Sequence, residues 1–417
     1  MRSKAVIISA VASNQGKTIF SSALLHYFRK SVRAFKTGPD FIDPQFHESI
    51  TNTPSVNLDG YMMNSDQLRW TFERYSDKNI SVIEGVMGYY DGMEKGCSAY
   101  DIGRLLGINT ILVIDGSGSY ITISALIKGM KTFKKDNTIK GVVLNRLSSQ
   151  MHYELIKKEI KRNFDDIEVL GWIPKNLESL KSTYLGLSLS EKDKTAALSK
   201  EVLKHIDLRK IALVAGISKE RFKGYPFNKI TKTDKKAAIV KDSCFSFIYH
   251  DNVEFLKELF KEVVFVSAEN DEEIPHDTDF LFIPGGYVES EEAYSKIKNS
   301  DRFKNSLIRF ASTKPIYAEC AGLLYLSNRV DDKKMSKILD IDFELKNKRV
   351  RLGYYHTTKG IKGHAFHYTK AINPPKGEDI LYKGKKGEYG SWKKGKVYGT
   401  YLHTMFRSNE KVILDLI

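Results

Sequence analysis

Pro315-Ile316-Tyr317-Ala318-Glu319-Cys320-Ala321-Gly322-Leu323-Leu324-Tyr325-Leu326 is the stretch from which the rest of this chain can be read. A proline opens a short apolar run, the pattern of a buried strand, and the apolar residues after Cys320 return at helical spacing. Between them stands one cysteine among small residues, Ala318, Ala321 and Gly322. A strand turning sharply into a helix leaves little room around the turn, and small neighbours fit there. A nucleophile at such an elbow is held beside the first N–H groups of the helix, which favour a thiolate and can stabilise an oxyanion. A buried core cysteine fits the same stretch, since free Cys is among the most buried residue types. The remainder of the chain has to separate the two.

Working outward, a histidine closes the same region. Lys396-Val397-Tyr398-Gly399-Thr400-Tyr401-Leu402-His403 reads as a strand delivering an imidazole. An adjacent His lowers the pKa of a cysteine and shuttles its proton, so Cys320 and His403 make a candidate catalytic pair. Phe280-Leu281-Phe282-Ile283-Pro284-Gly285-Gly286-Tyr287 is a strand ending in a Gly-Gly turn. The Gly286 and Ala321 N–H groups are the candidate oxyanion donors. Ahead of these lie a strand at Ala237–Val240, a helix at Asn252–Lys261 and a strand at Val263–Val266. The basic, Thr-rich run Asn228–Lys236 reads as a linker, so the domains fall at residues 1–230 and 236–417.

The first domain opens with another strand–loop–helix. Ala5-Val6-Ile7-Ile8-Ser9 is a buried strand, Gly16-Lys17-Thr18 follows a loop of small residues, and an apolar-periodic helix runs from Ile19 to Arg29. This is the context of a phosphate-binding loop. Gly16 allows close backbone approach, Lys17 serves the β- and γ-phosphates of ATP, and the Thr18 hydroxyl serves Mg2+. Ala10 and Asn14 stand where such loops usually carry earlier glycines. In Thr37-Gly38-Pro39-Asp40-Phe41-Ile42-Asp43-Pro44-Gln45-Phe46-His47, two prolines and a glycine argue against helix. Asp40 and Asp43 there could hold magnesium, orient a substrate, or cap turns. Ser81–Glu84 is a strand ending in a carboxylate, the usual second magnesium partner beside such a loop; a polar strand cap is the alternative. The Gly-rich run Gly85–Gly92 contains Asp91. Further strands at Thr110–Asp115, Gly141–Arg146 and Val169–Pro174 alternate with helices at Tyr120–Lys131 and Met151–Arg162. From about Asn176 to Lys223 the pattern turns helical. The alternation implies an α/β protein with two mostly parallel, doubly wound sheets and ligands at the C-terminal strand ends.

Bulk properties bound the function. A chain of 417 residues suits two or three domains. Three widely spaced cysteines, Cys97, Cys244 and Cys320, match no metal spacing and fit a reducing cytoplasm. No apolar run approaches the roughly 20 residues of a membrane helix, and Met1-Arg2-Ser3-Lys4 leads directly into a strand, so neither membrane insertion nor a signal peptide is expected. The net charge of +15 is spread through the chain without a nucleic-acid motif. It suits a solvated surface or a polyanionic small substrate better than nucleic acid.

Phe35–His47, Asn57–Met62, Glu84–Gly92, Pro284–Tyr287, Ala318–Gly322, Gly363–Tyr368 and Tyr401–His403 together resemble the cobyrinic acid a,c-diamide synthases. The resemblance covers nearly the whole chain. It implies an N-terminal P-loop domain similar to dethiobiotin synthetase and a C-terminal class I glutamine amidotransferase-like domain. It implies that Cys320, activated by His403, releases ammonia from glutamine. It further implies that ATP with Mg2+ activates the a and c carboxylates of cobyrinic acid for amidation in cobalamin biosynthesis. Thr18, Asp40 and Glu84 would serve the metal; Asp40, Asp43 and Asp91 would serve the substrate; Asn145 would read the adenine. A homodimer is compatible with it. Most glutaminase triads place a Glu two residues after the His; here Met405 stands there, and the corrinoid branch lacks this Glu. Ala321, Ala365 and Tyr355 also depart from the common pattern. Rival readings are a nickel-sirohydrochlorin a,c-diamide synthase, a cobyric acid synthase and, in another class, a partition-type P-loop ATPase that binds DNA. That last reading accounts for Lys17 but not for Cys320 and His403.

Overall fold

The computed structural model describes residues 4–177, 182–183, 186–187, 192–217, 222–372 and 374–417. The chain divides into two compact units, Met1–Pro226 and Phe227–Ile417.

The first unit is built on β1 (Lys4–Ala10), α1 (Lys17–Phe28), β2 (Val32–Thr37), α2 (Ile42–Thr51), β3 (Val56–Leu58), α3 (Ser65–Tyr75), β4 (Ile80–Glu84), α4 (Ala99–Leu106), β5 (Thr110–Asp115), α5 (Thr122–Phe133), β6 (Ile139–Leu147), α6 (Gln150–Asn163) and β7 (Glu168–Pro174). The strands lie in the order β3-β2-β4-β1-β5-β6-β7, each paired in parallel with its neighbours. A parallel strand covered on both faces needs a nearly continuous apolar run, and β1 is buried from Ala5 to Ala10. Val6, Ile8 and Ala10 pack with Phe20 and Leu24 of α1 and with Val113 and Val143 of the neighbouring strands. Side chains of this size contribute roughly 1.5–3 kcal/mol each when fully buried. The strand order reverses around β1, and a crevice forms at such a switch point beyond the strand ends.

One expectation fails. Residues 37–47 were read as non-helical, yet α2 begins at Ile42 and carries Pro44 as its third residue. The first-turn N–H groups of a helix have no intrahelical acceptor, so a proline there removes no bond. Asp40 Oδ1 accepts the Ile42 N–H at 2.9 Å and starts the helix. The helical pattern read from Asn176 to Lys223 falls partly outside the described residues. Among the described ones, α7 (Lys192–Leu203) and α8 (Leu208–Val214) are helical, and Gly216–Ile217 pairs antiparallel with β1.

The second unit holds β8 (Lys236–Val240), α9 (His250–Leu259), β9 (Glu262–Val266), β10 (Phe280–Ile283), α10 (Glu291–Ile297), α11 (Asp301–Ala311), β11 (Ile316–Glu319), α12 (Ala321–Leu326), β12 (Ser391–Lys394) and β13 (Val397–Thr400). The sheet order is β9-β8-β10-β11-β13-β12, parallel throughout except for the edge strand β12. Between α12 and β12 the chain forms further short sheets not foreseen from the sequence. In one, Arg351–Thr357 pairs with Lys362–His367 and Ile380–Lys383.

The run from Phe222 to Lys235 is irregular and leaves Lys223, Lys229, Lys232 and Lys235 exposed. Brief trypsin treatment is therefore expected to cut first within 222–235 and yield two stable fragments by mass spectrometry. First cuts within Gly38–Asp43 or Ala318–Gly322 would contradict a two-unit chain joined there.

Candidate functional site

In the first unit, β1 ends at Ala10 and the chain passes through an open loop to α1, which Gly16 starts at φ 96°. A Cβ at Gly16 would lie 2.3 Å from Asn145 Nδ2, so the position also has no room for a side chain. Asn14 adopts φ 62°. Asn tolerates the left-handed region better than other non-glycine residues, which explains how the loop dispenses with a glycine there; Ala10 is extended β1 backbone and needs none. Lys17 is buried, and its Nζ donates to the Ala12 carbonyl at 3.3 Å. Burial and the neighbouring Lys36 push its pKa down, against the pull of Glu84, Asp43 and Asp91.

Glu84, at the C-terminal end of β4, is the centre of this site. It is buried and accepts from Thr18 Oγ1 at 2.9 Å, from Lys36 Nζ at 3.2 Å and from the Ser21 hydroxyl. His47 Nε2 lies 3.0 Å from Oε2, the oxygen that also accepts from Ser21. Burial alone would raise the carboxyl's pKa, but Lys36 and His47 hold it well below the usual range. Lys36 also pairs with Asp43 and lies 3.6 Å from Asp40. Burial opposes its charge, and the three carboxylates outweigh burial and keep the ammonium protonated. The Asp43 carboxyl is pushed up by its own burial. Thr18 and Glu84 thus present two hard oxygen donors in contact, the donor chemistry that magnesium prefers. Asp91 Oδ2 accepts the Gly88 N–H at 2.8 Å and closes the turn of the Gly-rich loop. Asn145 donates Nδ2 to the Gln15 carbonyl at 2.8 Å, and its Oδ1 accepts the Arg146 N–H at 2.8 Å. Its amide braces the phosphate-loop region in this structure. Lys36, His47 and Ser21 were given no role from the sequence. The readable signal was polar side chains in otherwise buried elements.

In the second unit, β11 ends at Glu319, Cys320 takes φ 45° and ψ −102°, and α12 begins at Ala321. Such a backbone conformation costs a non-glycine residue roughly 1–3 kcal/mol and clusters at functional turns. The neighbouring strand β13 lies in register, with Glu319 opposite Thr400, and the Cys320 N–H donates to the Thr400 carbonyl at 2.7 Å. Cys320 and His403 therefore leave adjacent strands at the same end of the sheet. Gly285, after β10, packs on the imidazole: a Cβ there would lie 2.3 Å from His403 Cε1. The Gly322 N–H donates to the Pro284 carbonyl at 3.1 Å, tying the elbow to the Gly285-Gly286 turn. Cys320 is buried. Burial, followed by the charge of Glu289, pushes its thiol well up, while a hydrogen bond from the Ala321 N–H pulls it down. Among the described residues, the buried Glu289 Oε2 has no hydrogen-bond partner, and burial lifts its carboxyl to about 7. Glu319 Oε2 lies 3.4 Å from His403 Nδ1; it too was given no role from the sequence.

The chain matches the family model of the CobB/CobQ-like glutamine amidotransferase domain over residues 236–411, and that of an AAA domain over residues 53–182. It is 33% identical to the cobyrinate a,c-diamide synthase of Saccharolobus solfataricus, over 97% of this chain and 98% of that one. The chain belongs to the cobyrinate a,c-diamide synthase family. The Fusobacterium nucleatum member is 33% identical over 99% of this chain and all of its own, and that of Methanocaldococcus jannaschii 33% over 96% and 95%. Membership in the cobyrinate a,c-diamide synthase family accounts for a nucleotide-type loop and a glutaminase-type elbow in one polypeptide. Among the described residues, no helix is long and apolar enough to cross a membrane.

His47→Ala removes one of the groups that solvate the buried Glu84 carboxylate. It is expected to destabilise the first unit by about 1–3 kcal/mol, read as a lower urea midpoint with the far-UV circular dichroism spectrum unchanged. An unmoved midpoint would mean that His47 does not support Glu84.

Proposed function

We propose that the chain is an ATP- and glutamine-dependent amidoligase that converts the a and c carboxylates of cobyrinate into amides. The observation that carries this is one chain holding both a Gly16-Lys17-Thr18 loop facing Glu84 and a Cys320 elbow beside His403. The names of the full-length relatives support the substrate.

In the second unit, Cys320 is the nucleophile. His403 takes the thiol proton as the sulfur attacks the side-chain amide carbon of glutamine, then gives it to the departing nitrogen, so ammonia leaves and a thioester forms. Water hydrolyses the thioester to glutamate. The Gly286 and Ala321 N–H groups stabilise the oxyanion. Burial pushes the Cys320 thiol up, which suits removal of its proton by His403 as the sulfur attacks.

In the first unit, Lys17 binds the β- and γ-phosphates of ATP. Thr18 and Glu84, with Asp40, would hold Mg2+, which would supply neutralisation of the phosphate charge. Asp40, Asp43 and Asp91 position the substrate, and Asn145 reads the adenine. The carboxylate attacks the γ-phosphorus and ADP leaves; ammonia then attacks the acyl phosphate, and inorganic phosphate leaves as the amide forms. A polycarboxylate substrate also suits the positive net charge without nucleic acid.

Cys320→Ser is expected to abolish glutamine-driven amidation and to spare amidation driven by added ammonium. Glutaminase activity retained in full by this variant would overturn the assignment. Lys17→Ala is expected to remove amide synthesis and to weaken ATP·Mg2+ binding at least tenfold by isothermal titration, while glutamine hydrolysis stays measurable. A wild type that amidates without nucleotide would refute the synthetase role of the first unit.

A further inference from the structure

The usual triad acid, two residues beyond the histidine, is replaced by the buried apolar Met405. An imidazole that works as a base still needs its ring held in one orientation and one tautomer. We propose that Glu319, the residue before the nucleophile, is the carboxylate that positions His403 and stabilises its imidazolium. This rests on the glutaminase reading above and deepens it.

The geometry is local and closed. Glu319 and His403 are 1% and 2% exposed. Glu319 Oε2 faces His403 Nδ1 at 3.4 Å, while Oε1 accepts the Thr404 N–H at 3.2 Å and the Tyr317 hydroxyl at 3.3 Å. The carboxylate is thus pinned from its own strand by Tyr317 and from beyond β13 by Thr404, the residue next to the imidazole. Packing on Gly285 restrains the ring itself. A carboxylate facing Nδ1 selects the tautomer protonated there and leaves Nε2 to take the thiol proton.

Burying this carboxylate is costly unless its charge is used. Burial pushes its pKa up, and His403 is the first of the groups that pull it down. Titratable groups around the pair include Tyr317 on β11, Cys320 at the elbow, Glu289 beyond the Gly-Gly turn and the buried His367, whose own charging His403 opposes. Both carboxylates raise the thiol's pKa. Glu319 therefore acts against a free thiolate and in favour of the imidazolium, coupling proton removal to attack. Glu319 is a positioning residue, since it acts through His403.

The test compares Glu319→Gln with wild type and Cys320→Ser in the full chain. Glutamine remains able to accept from Thr404 and Tyr317 but carries no charge. The kcat for glutamine hydrolysis is expected to fall about 10²–10⁴-fold, with KM and ammonium-driven amidation unchanged and the acid limb of the kcat profile displaced. A kcat within about threefold of wild type, with Cys320→Ser inactive, would overturn the role of Glu319 alone. An active Cys320→Ser would instead overturn the glutaminase reading. Should Glu319→Gln not fold, ¹⁵N NMR of wild-type histidine rings, assigned with His403→Gln, decides the matter. Neutral His403 protonated on Nδ1 supports the proposal, and protonation on Nε2 refutes it.

Discussion

A carboxylate buried without partners would protonate or unfold the site around it, and the first unit is arranged to prevent that at Glu84. One side chain draws a hydroxyl from the first turn of α1, a second from the next turn, an ammonium from β2 and an imidazole from α2. These four partners come from three elements, so the relative placement of α1, β2 and α2 around β4 is fixed by the valence of a single acid. The phosphate loop inherits its position from the same contact, since Thr18 follows Lys17 directly. The acid's placement depends in turn on parallel pairing: β4 lies between β2 and β1, with Glu84 beside Lys36 and Ile8.

The second unit meets the same constraint at Glu319 with fewer and weaker partners. Its oxygens face a hydroxyl, one N–H and an imidazole, and among the described residues no ammonium pairs with it. Accordingly the two acids shift in opposite directions, Glu84 down and Glu319 up. The difference matches the ligand proposed for each site. Polyphosphate chemistry needs permanent charges of both signs, whereas amide transfer from a neutral side chain needs a proton that moves. An ammonium beside Glu319 would neutralise it and remove its pull on the imidazolium.

The parallel sheets were legible because strands buried on both faces must be continuous apolar runs, and Ala5–Ser9, Thr110–Asp115 and Phe280–Ile283 can hardly be anything else. The elbow was legible because only small residues fit beside it. Three features were not. The helix containing Pro44 was missed because proline stops a helix only beyond its first turn, and the position of that turn was set by Asp40, a residue read as a ligand. The short sheets between α12 and β12 lack a long apolar run: Arg351–Thr357 alternates in burial only loosely. Lys36, His47 and Glu319 were missed because a polar residue inside a buried element declares its role only through its partner. Those partners lie 48, 37 and 84 positions away in sequence respectively.

The same reasoning explains why the elbow tolerates a strained cysteine. Cys320 holds a positive φ without the freedom of glycine, and its neighbours leave it no alternative. Its N–H is bound to β13, the chain two residues on is bound to the Gly285-Gly286 turn, and Gly322 has no space for a Cβ against the Ile283 carbonyl. Both hydrogen bonds are backbone to backbone, so they do not depend on side-chain identity. Ala321 needs no glycine-like freedom: the position lies within α12 and needs helical backbone only. The burial of the sulfur and the acids near it disfavour a resting thiolate. A site built this way is chemically quiet until a substrate amide and a correctly oriented imidazole are both in place, which suits a glutaminase whose product, ammonia, is lost if it is released too soon.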